Sequence, residues 1–480
     1  MSTSLYHGDY VGPTQEGEWH LPPGLKRPLH HYFRRRWVNF GKPIPLFEHL
    51  HARFGRIACY RFMGTLIVFV NDPEWINEIL INQASSFVKE RTLRRMKILL
   101  GEGLITSDDP IHMRQRRIAA PAFHRQRIAG YAAQMVANAG TLRESWRDGD
   151  ELDISAAMMR LSLQIIARTL FDQEVTPAVL SVADEVNTIM GLYNFLVAFP
   201  RLEDVLDWPI PGVMQFRRSR ARLDAIVHRM IADRRALTRE QLEQRHDLLS
   251  MLIAAQDEDV TSTTAVSQGM SDEQVRDEAL TIFLAGYETV ANAMAWTWYL
   301  LSQNPASRER MECEVDEVLG GRTPTIEDLP NLRYTEMVFA ESMRLYPPAW
   351  AMGRQATKPV QLGEYRLPPG THIFFSQYVI HRSPVYWDEP LAFRPERHTP
   401  EAKATRPRFV YFPFGGGRRQ CIGEGFAWME GVLALATIAQ RWRLEFVPRF
   451  PIVPQAKITL RPKFPMMMRL HARAWSQPLR

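Results

Sequence analysis

One cysteine near the C-terminal end of the chain lies in a segment rich in glycine and arginine. Residues 414–423 read F-G-G-G-R-R-Q-C-I-G, and the informative positions are Phe414, Gly417, Arg419, Cys421 and Gly423. At average residue usage, a chance match to five such positions in a chain of this length has a probability on the order of 10⁻⁴. The segment constrains the fold strongly, because it requires a loop that holds one thiol in a defined place.

This segment is typical of a loop that presents a thiolate to a haem iron. An axial thiolate must be kept deprotonated, shielded and held. Gly417 permits a backbone turn that points N–H groups at the sulfur of Cys421, and Phe414 would cover it from water. The residues after Cys421 predict an amphipathic helix, whose positive N-terminus lowers a thiol pKa. A buried structural thiol is the usual alternative, and the glycines and Arg419 favour the haem.

Several basic residues are candidates for binding the haem propionates. Arg419 belongs to the cysteine segment, and a guanidinium binds a carboxylate through two hydrogen bonds. His112 and Arg116 share one face of a predicted helix, and Arg354 follows the turn P-P-A-W-A-M-G. Without a haem, His112 is an ordinary histidine on a helix face and Arg354 a residue that caps a strand.

A second motif lies in the middle of a long helical pattern, A-L-T-I-F-L-A-G-Y-E-T-V. Glycine inside a helix costs about 1 kcal/mol relative to alanine. Ala285 and Gly286 would leave room for dioxygen, and the Thr289 hydroxyl can bond the carbonyl of Ala285 and open the helix locally. Glu288 and Thr289 would then form a proton relay. The alternative is a close helix crossing at Gly286.

A third motif pairs charges on one helix face. Glu341 and Arg344 are three residues apart before Pro347 and Pro348 end the helix. Arg397, in F-R-P-E-R-H, would complete a buried network that braces the cysteine segment. The alternative is a solvated pair, worth a few tenths of a kcal/mol.

Composition and charge limit the partners. Three cysteines in 480 residues are too few for a disulfide framework or a zinc site and favour a reducing compartment. The N-terminus lacks signal-peptide features, and the longest uncharged stretch, 289–307, is too polar to span a membrane. The net charge of +6 is clustered, which favours an acidic partner. No nucleic-acid motif accompanies the charge, and solvated helix faces explain part of it.

The order of patterns predicts one domain. Residues 1–28 are rich in proline and glycine and are expected to form an irregular leader, and residues 29–480 a single domain. Two strands are expected to meet at Gly64, and a helix to begin after Asp72. Residues 258–270 predict a loop, and strand patterns return near the C-terminal end. The fold class predicted is mainly α with a small β region.

Taken in order, these motifs resemble those of the cytochrome P450 family over nearly the whole chain. The matching segments are H-M-R-Q-R, A-G-Y-E-T, E-S-M-R, F-R-P-E-R and the cysteine segment. His398 replaces a common phenylalanine, and His112 stands where a tryptophan is frequent; neither is expected to affect the chemistry. The resemblance implies a triangular helical fold enclosing haem b, with Cys421 as the axial ligand and haem contacts from Phe414, Gly415 and Gly423.

The resemblance also implies a monooxygenase. Two electrons from a separate acidic ferredoxin or flavodoxin, with its reductase, would activate dioxygen, because no fused reductase motif is present. Arg418, Arg114 and Arg117 are candidates for docking that partner. The product would be a hydroxylated or epoxidised apolar molecule: a fatty acid, a terpenoid or a polyketide-like compound. A cytoplasmic monomer is expected.

Substrate contacts are inferred from places that match the family's substrate loops. They are Ile105, Leu284, Ala285, Ala351, Met352 and Ile458, and the apolar segment 186–200 is expected to form a lid. Ordinary helix packing is the alternative for that segment. Two other functions stay open, a peroxide-using hydroxylase or isomerase on the same scaffold and a haem-based gas-binding protein.

Overall fold

The computed structural model describes residues 9–32, 35, 38, 42–171, 185, 188–189, 208–245, 247–255 and 269–473. The helices in this part of the chain are α1 (Pro43–Phe54), α2 (Pro73–Asn77), α3 (Arg91–Arg95), α4 (Lys97–Leu100), α5 (Ile111–Ala119), α6 (Arg125–Ala129), α7 (Ala132–Glu144), α8 (Ile154–Phe171), α9 (Pro211–Arg235), α10 (Arg239–Gln244), α11 (Leu248–Ala254), α12 (Asp272–Gln303), α13 (Pro305–Leu319), α14 (Arg333–Leu345), α15 (Gln377–Ile380), α16 (Pro400–Thr405) and α17 (Glu424–Ala439).

The strands are shorter than most of the helices and contain fewer residues in total. They are β1 (Tyr10–Val11), β2 (Thr14–Glu16), β3 (Trp19–Leu21), β4 (Gly24–Leu25), β5 (Ile57–Phe62), β6 (Thr65–Val70), β7 (Phe87–Lys89), β8 (Glu151–Asp153), β9 (Met352–Ala356), β10 (Val360–Leu362), β11 (Tyr365–Leu367), β12 (His372–Phe375), β13 (Trp442–Phe446), β14 (Pro454–Ala456), β15 (Leu460–Pro462) and β16 (Met467–Ala472). This confirms the predicted class, mainly α with a small β region.

The long helix α12 forms the centre of the helical core. Ser271 and Gln274 form a capping box at its start, and Pro305 begins the next helix directly after its end. α12 packs against α8, α9, α14 and α17. Most of its residues are buried, as expected for a helix whose sequence is apolar on nearly every face.

The helix after the cysteine segment, α17, packs closely against α14. A side-chain carbon at Gly431 would lie 2.4 Å from the ring of Phe339, so only glycine permits this approach. The same α14 carries Glu341 and Arg344. The predicted helix is confirmed, but it is not amphipathic, because every residue from Met429 to Ala439 is buried. It connects the cysteine segment to the helical core.

The largest sheet has the strand order β1-β4-β5-β6-β12-β9-β7. Its hairpin β5–β6 turns at Gly64, which has φ of +79°, as the sequence predicts. Asp72 then caps α2 by accepting from the N–H groups of Glu74 and Trp75. Two predicted local features are thereby confirmed.

The leader differs from the irregular segment expected. Residues 10–25 form four short strands, and β4 runs parallel to β5 with Gly24 opposite Cys59. A side-chain carbon at Gly24 would lie 1.8 Å from the carbonyl oxygen of Cys59. These strands are two or three residues long, and their pairing with one another is completed by β5 and β11 outside the leader, so local patterns do not reveal them.

One described helix, α8, is long and apolar enough to cross a membrane by length and composition. In the structure, 67% of it is buried, and it packs against α7 and α12. That environment is the one expected of a core helix. The predicted loop 258–270 and the expected lid 186–200 lie almost entirely outside the described residues.

Candidate active site

A cavity of ≈ 350 Å³ lies between α12, α5, β9 and the cysteine segment. Most of the predicted site residues line it. Those in its wall are Ile105, His112, Arg116, Ala285, Gly286, Thr289, Met352, Arg354, Phe414, Gly415, Arg419, Cys421 and Gly423. The fold therefore brings the thiol, the basic residues and the α12 motif together around one space.

The cysteine segment is a tight loop with two left-handed glycines. Gly415 and Gly417 both have φ of +72°, a conformation that other residues adopt at a cost. A side-chain carbon at Gly417 would also lie 2.3 Å from the carbonyl oxygen of Leu80. The Cys421 N–H donates to the carbonyl of Phe414 at 3.0 Å, which closes the loop.

The protein alone does not lower the pKa of the thiol. Burial raises the pKa of Cys421 to about 11, and the hydrogen bond from the Gly423 N–H and the charge of Arg116 only partly oppose it. Cys421 has exposed surface, and that surface faces the cavity. The Gly423 N–H at the N-terminus of α17 does lower this pKa, as expected, but desolvation of the sulfur is the larger effect.

The basic residues crowd together at one side of the cavity. Arg419 donates to the carbonyl of Ser107 at 2.9 Å and lies 3.3 Å from Asp108. Arg116 donates to the carbonyl of Gln420 at 2.7 Å. Burial and, after it, the nearby Arg419 lower the pKa of Arg354 to about 10. Guanidinium groups this close and this buried favour an anion between them.

His112 shares this environment. Burial, with Arg419 and Lys89 nearby, lowers its pKa to about 3, so the imidazole is neutral at physiological pH. Its Nδ1 is buried, lacks a hydrogen bond among the described residues, and lies 3.5 Å from an oxygen of Asp109. A buried polar atom without a hydrogen bond is costly, so it fits a site that a bound group completes.

Lys89 is a cavity residue that the sequence did not reveal. It is 4% exposed and lies directly across from Arg354 in the pairing of β7 with β9. Its Nζ donates to the carbonyls of Leu104, at 2.6 Å, and Ile105. Burial is the main cause that holds its pKa well below the ordinary value. Nothing in F-V-K-E marks this lysine as buried, since its environment depends on strand pairing.

The observed donors fit a haem. The propionates of a haem are two carboxylates, and the cavity presents buried cations on one side with a thiol in the same wall. Lys89 and Arg354 lie directly opposite each other in the pairing of β7 with β9. Two basic side chains in such positions destabilise a strand pair, and a bound anion would relieve their repulsion. The residues present are therefore those that a thiolate-ligated haem requires.

The motif on α12 lies along the cavity wall. The Thr289 hydroxyl donates to the carbonyl of Ala285 at 2.6 Å, as predicted. At Gly286, a side-chain carbon would lie 2.8 Å from Ile166 of α8, so α8 and α12 cross closely there. The close helix crossing at Gly286 is confirmed, and the glycine also lines the cavity. Room for dioxygen at this position stays a prediction.

Glu288 does not lie in the cavity wall. Its carboxylate accepts from the Thr459 hydroxyl at 2.6 Å, and the Asn292 side chain donates to the same hydroxyl at 3.2 Å. Glu288 follows Tyr287 on the helix and points about 100° away from Thr289. The predicted relay pair is therefore divided between the cavity and the β14–β15 hairpin.

Three predicted substrate contacts are not in the cavity wall. Leu284 is buried in the helical core, Ala351 packs on an apolar cluster that includes Phe47, and Ile458 is 37% exposed at the hairpin turn. Adjacent helix positions point in different directions, and loop side chains depend on tertiary packing. Other wall residues were not predicted, among them Leu93, Leu104, Ile282, Thr281 and Ala349.

The charge network predicted near the cysteine segment is fully buried. Arg344 donates twice to Glu341, at 2.8 Å each, and both side chains have 0% exposure. Arg397 lies 3.5 Å from Glu341, and His398 makes a contact of 3.0 Å with it. Burial opposes ionisation of Glu341, yet these hydrogen bonds hold its pKa below the ordinary value. The alternative of a solvated pair is wrong, and the part of His398 was missed.

Comparisons with known proteins agree with this site. The family model described as Cytochrome P450 matches residues 22–467. Cyclooctatin synthase of Streptomyces melanosporofaciens is 38% identical over 87% of this chain and 89% of its own length. Cyclooctat-9-en-7-ol 5-monooxygenase of the same organism is 36% identical over 78% and 80%, and pentalenene oxygenase of Streptomyces avermitilis 31% over 92% and 95%.

The fold has also been seen in a solved structure. The cytochrome P450DA heme domain matches with a TM-score of 0.81 over 97% of this chain and 98% of that one, at 23% identity. That likeness supports the architecture, and the sequence matches support the family. The chain belongs to the cytochrome P450 family and is a monooxygenase with haem b as its cofactor.

Proposed function

We propose that this monooxygenase hydroxylates or epoxidises a terpenoid with two electrons from a separate acidic ferredoxin or flavodoxin. One observation carries the proposal: Cys421, Thr289 and buried cations line a single cavity whose remaining wall is mainly apolar. Relatives named for pentalenene and cyclooctat-9-en-7-ol, an alkene and an unsaturated alcohol, favour a terpenoid over a fatty acid or polyketide.

Each protein group has a distinct task in this proposal. The Cys421 sulfur would hold the haem iron, and a bound haem would supply the redox-active iron that activates dioxygen. Arg116, Arg354 and Arg419 bind the propionates, and neutral His112 donates or accepts a hydrogen bond there. Phe414, whose ring lies 5.7 Å from that of Trp428, shields the sulfur from water.

Proton supply is assigned to α12. Thr289 holds a proton on its hydroxyl at the cavity wall, where it bonds the carbonyl of Ala285. The Glu288 carboxylate accepts from the Thr459 hydroxyl at the β14–β15 hairpin, outside the cavity wall. The apolar wall excludes bulk water, so a proton delivered along α12 has to pass to the Thr289 hydroxyl.

The docking face for the electron donor is assigned to the surface around the cysteine segment. Arg418 and Arg117 are exposed there. Arg114 is withdrawn from it, because its guanidinium lies 3.5 Å from the Gln274 side chain at the start of α12. Arg125 and Arg127 of α6 are also exposed, and α6 packs on α17. The free thiols Cys59 and Cys313 are consistent with a reducing cytoplasm. A monomer is part of the same proposal.

The first test is the absorption spectrum of the reduced protein under carbon monoxide. A strongly red-shifted Soret band is expected for thiolate ligation by Cys421. The variant Cys421→His should keep haem and lose that band. A spectrum without the band in the wild-type protein would exclude the assignment of Cys421 and the proposed reaction.

A peroxide-using hydroxylase is the second candidate. The contact of Glu288 with Thr459, outside the cavity wall, favours it, because a peroxide-driven reaction does not need this acid. The test compares product formation with hydrogen peroxide and with a ferredoxin system. A higher rate with hydrogen peroxide would favour the peroxide-using hydroxylase over the ferredoxin-dependent monooxygenase.

A further inference from the structure

A tryptophan outside the cavity packs on the residue that is proposed to shield the sulfur. Trp428 lies in the second turn of α17 and is not in the cavity wall, whereas Phe414 is part of that wall. Their ring centroids are 5.7 Å apart, and the ring planes meet at an angle of 53°. Aromatic rings at this separation and tilt attract each other, so Trp428 favours one position of the Phe414 ring.

A second ring holds Trp428 in turn. Phe339 of α14 meets the indole edge-on, with the centroids 5.6 Å apart and the planes at 79°. Phe339 is 1% exposed, and its ring lies so close to α17 that a side-chain carbon at Gly431 would be 2.4 Å from it. Packing this close leaves Phe339 no room to move, so Trp428 rests on a rigid support.

Trp428 also reaches the protein surface. Glu424, Gly425 and Trp428 follow one another at spacings of one and three on the same side of α17, and all three are at least partly exposed. Phe426 and Met429, on the other side of the helix, are buried. The indole therefore contacts Phe414 with one part of its surface and solvent with another, and its removal would open a route for water.

The loop fixes the backbone of Phe414 close to the thiol. The Cys421 N–H donates to the Phe414 carbonyl at 3.0 Å, and both residues line the cavity. The ring of Phe414 can still rotate about its own side-chain bonds, and the packed indole of Trp428 opposes that rotation. Water and hydrogen bonds around a metal-bound sulfur change the reduction potential of the metal. The position of this ring therefore affects the potential.

We propose that Trp428 is a positioning residue for the Cys421 thiolate: it holds the Phe414 ring in place, keeps water from the sulfur and thereby sets the reduction potential of the bound haem. The inference rests on the thiolate ligation in the proposed function and adds a residue that acts on it through Phe414. The electron that reduces the iron comes from the ferredoxin or flavodoxin, so Trp428 itself neither gains nor loses an electron.

The direction of the effect follows from charge. A ferric iron bound by a porphyrin dianion and a thiolate forms a neutral centre, and the added electron makes this centre negative. Water near the sulfur stabilises the negative form more than the neutral one. Loss of Trp428 should therefore raise the potential and make the haem easier to reduce.

The test is a spectroelectrochemical titration of the haem-loaded wild type, Trp428→Leu and Trp428→Phe. At the midpoint potential of the wild type, we expect Trp428→Leu to raise the ratio of reduced to oxidised haem about three- to tenfold, the effect of roughly one hydrogen bond gained by the sulfur. A tenfold change in this ratio corresponds to about 59 mV for one electron. Trp428→Phe keeps a ring against Phe414 and should restore most of the wild-type ratio.

A double-mutant cycle tests whether Trp428 acts through Phe414. Once Phe414→Leu has removed the shield, adding Trp428→Leu should change the ratio less than about twofold. Trp75→Leu is the matched control, because Trp75 is also partly buried and packs edge-on against another ring, that of Tyr365 at 6.1 Å. This variant should leave the ratio unchanged.

Four outcomes would overturn the proposal: an unchanged ratio in Trp428→Leu, a lower ratio, equal shifts in Trp428→Leu and Trp75→Leu, or additive shifts in the cycle. If Trp428→Leu does not retain haem, Trp428→Met, which fills more of the space without a ring, is measured in its place. The carbon monoxide spectrum of each variant separately reports thiolate ligation. A red-shifted band with an unchanged potential would refute this inference and leave the proposed function intact.

Discussion

At the scale of single residues, His398 shows how a substitution can join an existing network. The position commonly holds a phenylalanine in relatives of this motif, yet here the imidazole Nε2 lies 3.0 Å from Glu341. The other ring nitrogen is buried without a hydrogen bond among the described residues. Only the neutral ring with its proton on Nε2 satisfies Glu341 without burying an unpaired N–H. The network near the cysteine segment therefore contains a group that titrates.

His398→Phe is expected to destabilise the protein by about 1–2 kcal/mol at pH 7.5, because Glu341 loses one hydrogen bond. Burial is the main cause that lowers the pKa of His398 in the folded state. The wild-type histidine therefore contributes stability above its unfolded pKa of about 6.5 and loses it as the pH falls below that value. Urea unfolding at pH 7.5 and pH 5.5 should show a smaller difference in unfolding free energy between the wild type and His398→Phe at the lower pH. An equal gap at both pH values would contradict this protonation scheme.

At the scale of secondary-structure elements, the β14–β15 hairpin controls one acid of α12. Leu460 donates its N–H to the carbonyl of Pro348 at 2.9 Å, and the Trp296 indole donates to the carbonyl of Leu460 at 3.2 Å. These bonds fix the hairpin against the helix, so Thr459 reaches Glu288. The hairpin therefore determines where the Glu288 carboxylate points.

Thr459→Val is expected to release Glu288 and disturb proton supply. The yield of product per electron pair should fall roughly three- to tenfold, with hydrogen peroxide rising in proportion, because a misplaced acid transfers protons poorly. Thr459→Ser keeps the hydroxyl and serves as the control. The measurement is the ratio of product to reduced nicotinamide consumed, and an unchanged ratio in the valine variant would show that Thr459 does not position the acid.

A second contact between elements joins α8 to α17 through a buried carboxyl. Glu430 is 1% exposed, and the Ser162 hydroxyl donates to it. Burial raises the pKa of Glu430 to about 8. The protonated side chain therefore contributes stability that is fully present below about pH 4.5, its unfolded pKa, and that is lost as the pH rises to about 8.

Glu430→Gln removes this dependence on pH and keeps a polar partner for Ser162. At pH 9 the variant should be more stable than the wild type by on the order of 2–4 kcal/mol, and at pH 5 the two should be nearly equal. Denaturant unfolding at both pH values provides the measurement. A constant difference would mean that Glu430 does not titrate with folding.

At the scale of the whole molecule, the charge distribution predicts how electrons arrive. The net charge is +6, and exposed arginines lie on α6 and in the cysteine segment. Reduction by an acidic ferredoxin should slow several-fold, roughly threefold to tenfold, between 0.05 M and 0.5 M salt, since salt screens the steering field.

Replacing Arg125 and Arg127 by glutamate should slow reduction at low salt and flatten its dependence on salt. Replacing the exposed Arg217 and Arg218 of α9 by glutamate changes the net charge equally and controls for the global effect. Stopped-flow reduction under carbon monoxide measures both pairs. Identical salt curves for the two double variants would place the docking face elsewhere.

The cysteine segment, the end of α14 and the start of α17 could be predicted because their signals are local. A capping residue, a helix-breaking proline or a left-handed glycine acts on its immediate neighbours, so spacing in the sequence reports it. The same holds for the Gly64 turn and for the cap at Asp72. The short strands of residues 10–25 could not be predicted, because such short strands need more than their pairing with one another, and β5 and β11 supply the additional pairing.

The sequence by itself determined the family, the thiol Cys421 and the residues gathered around it, since these depend on residue type and spacing. Only the tertiary structure decided where buried groups point. It turned Glu288 to Thr459, buried Lys89 opposite Arg354, and packed the Thr281 hydroxyl against Gly103. These outcomes depend on contacts between segments remote in sequence, where packing and desolvation outweigh any local preference.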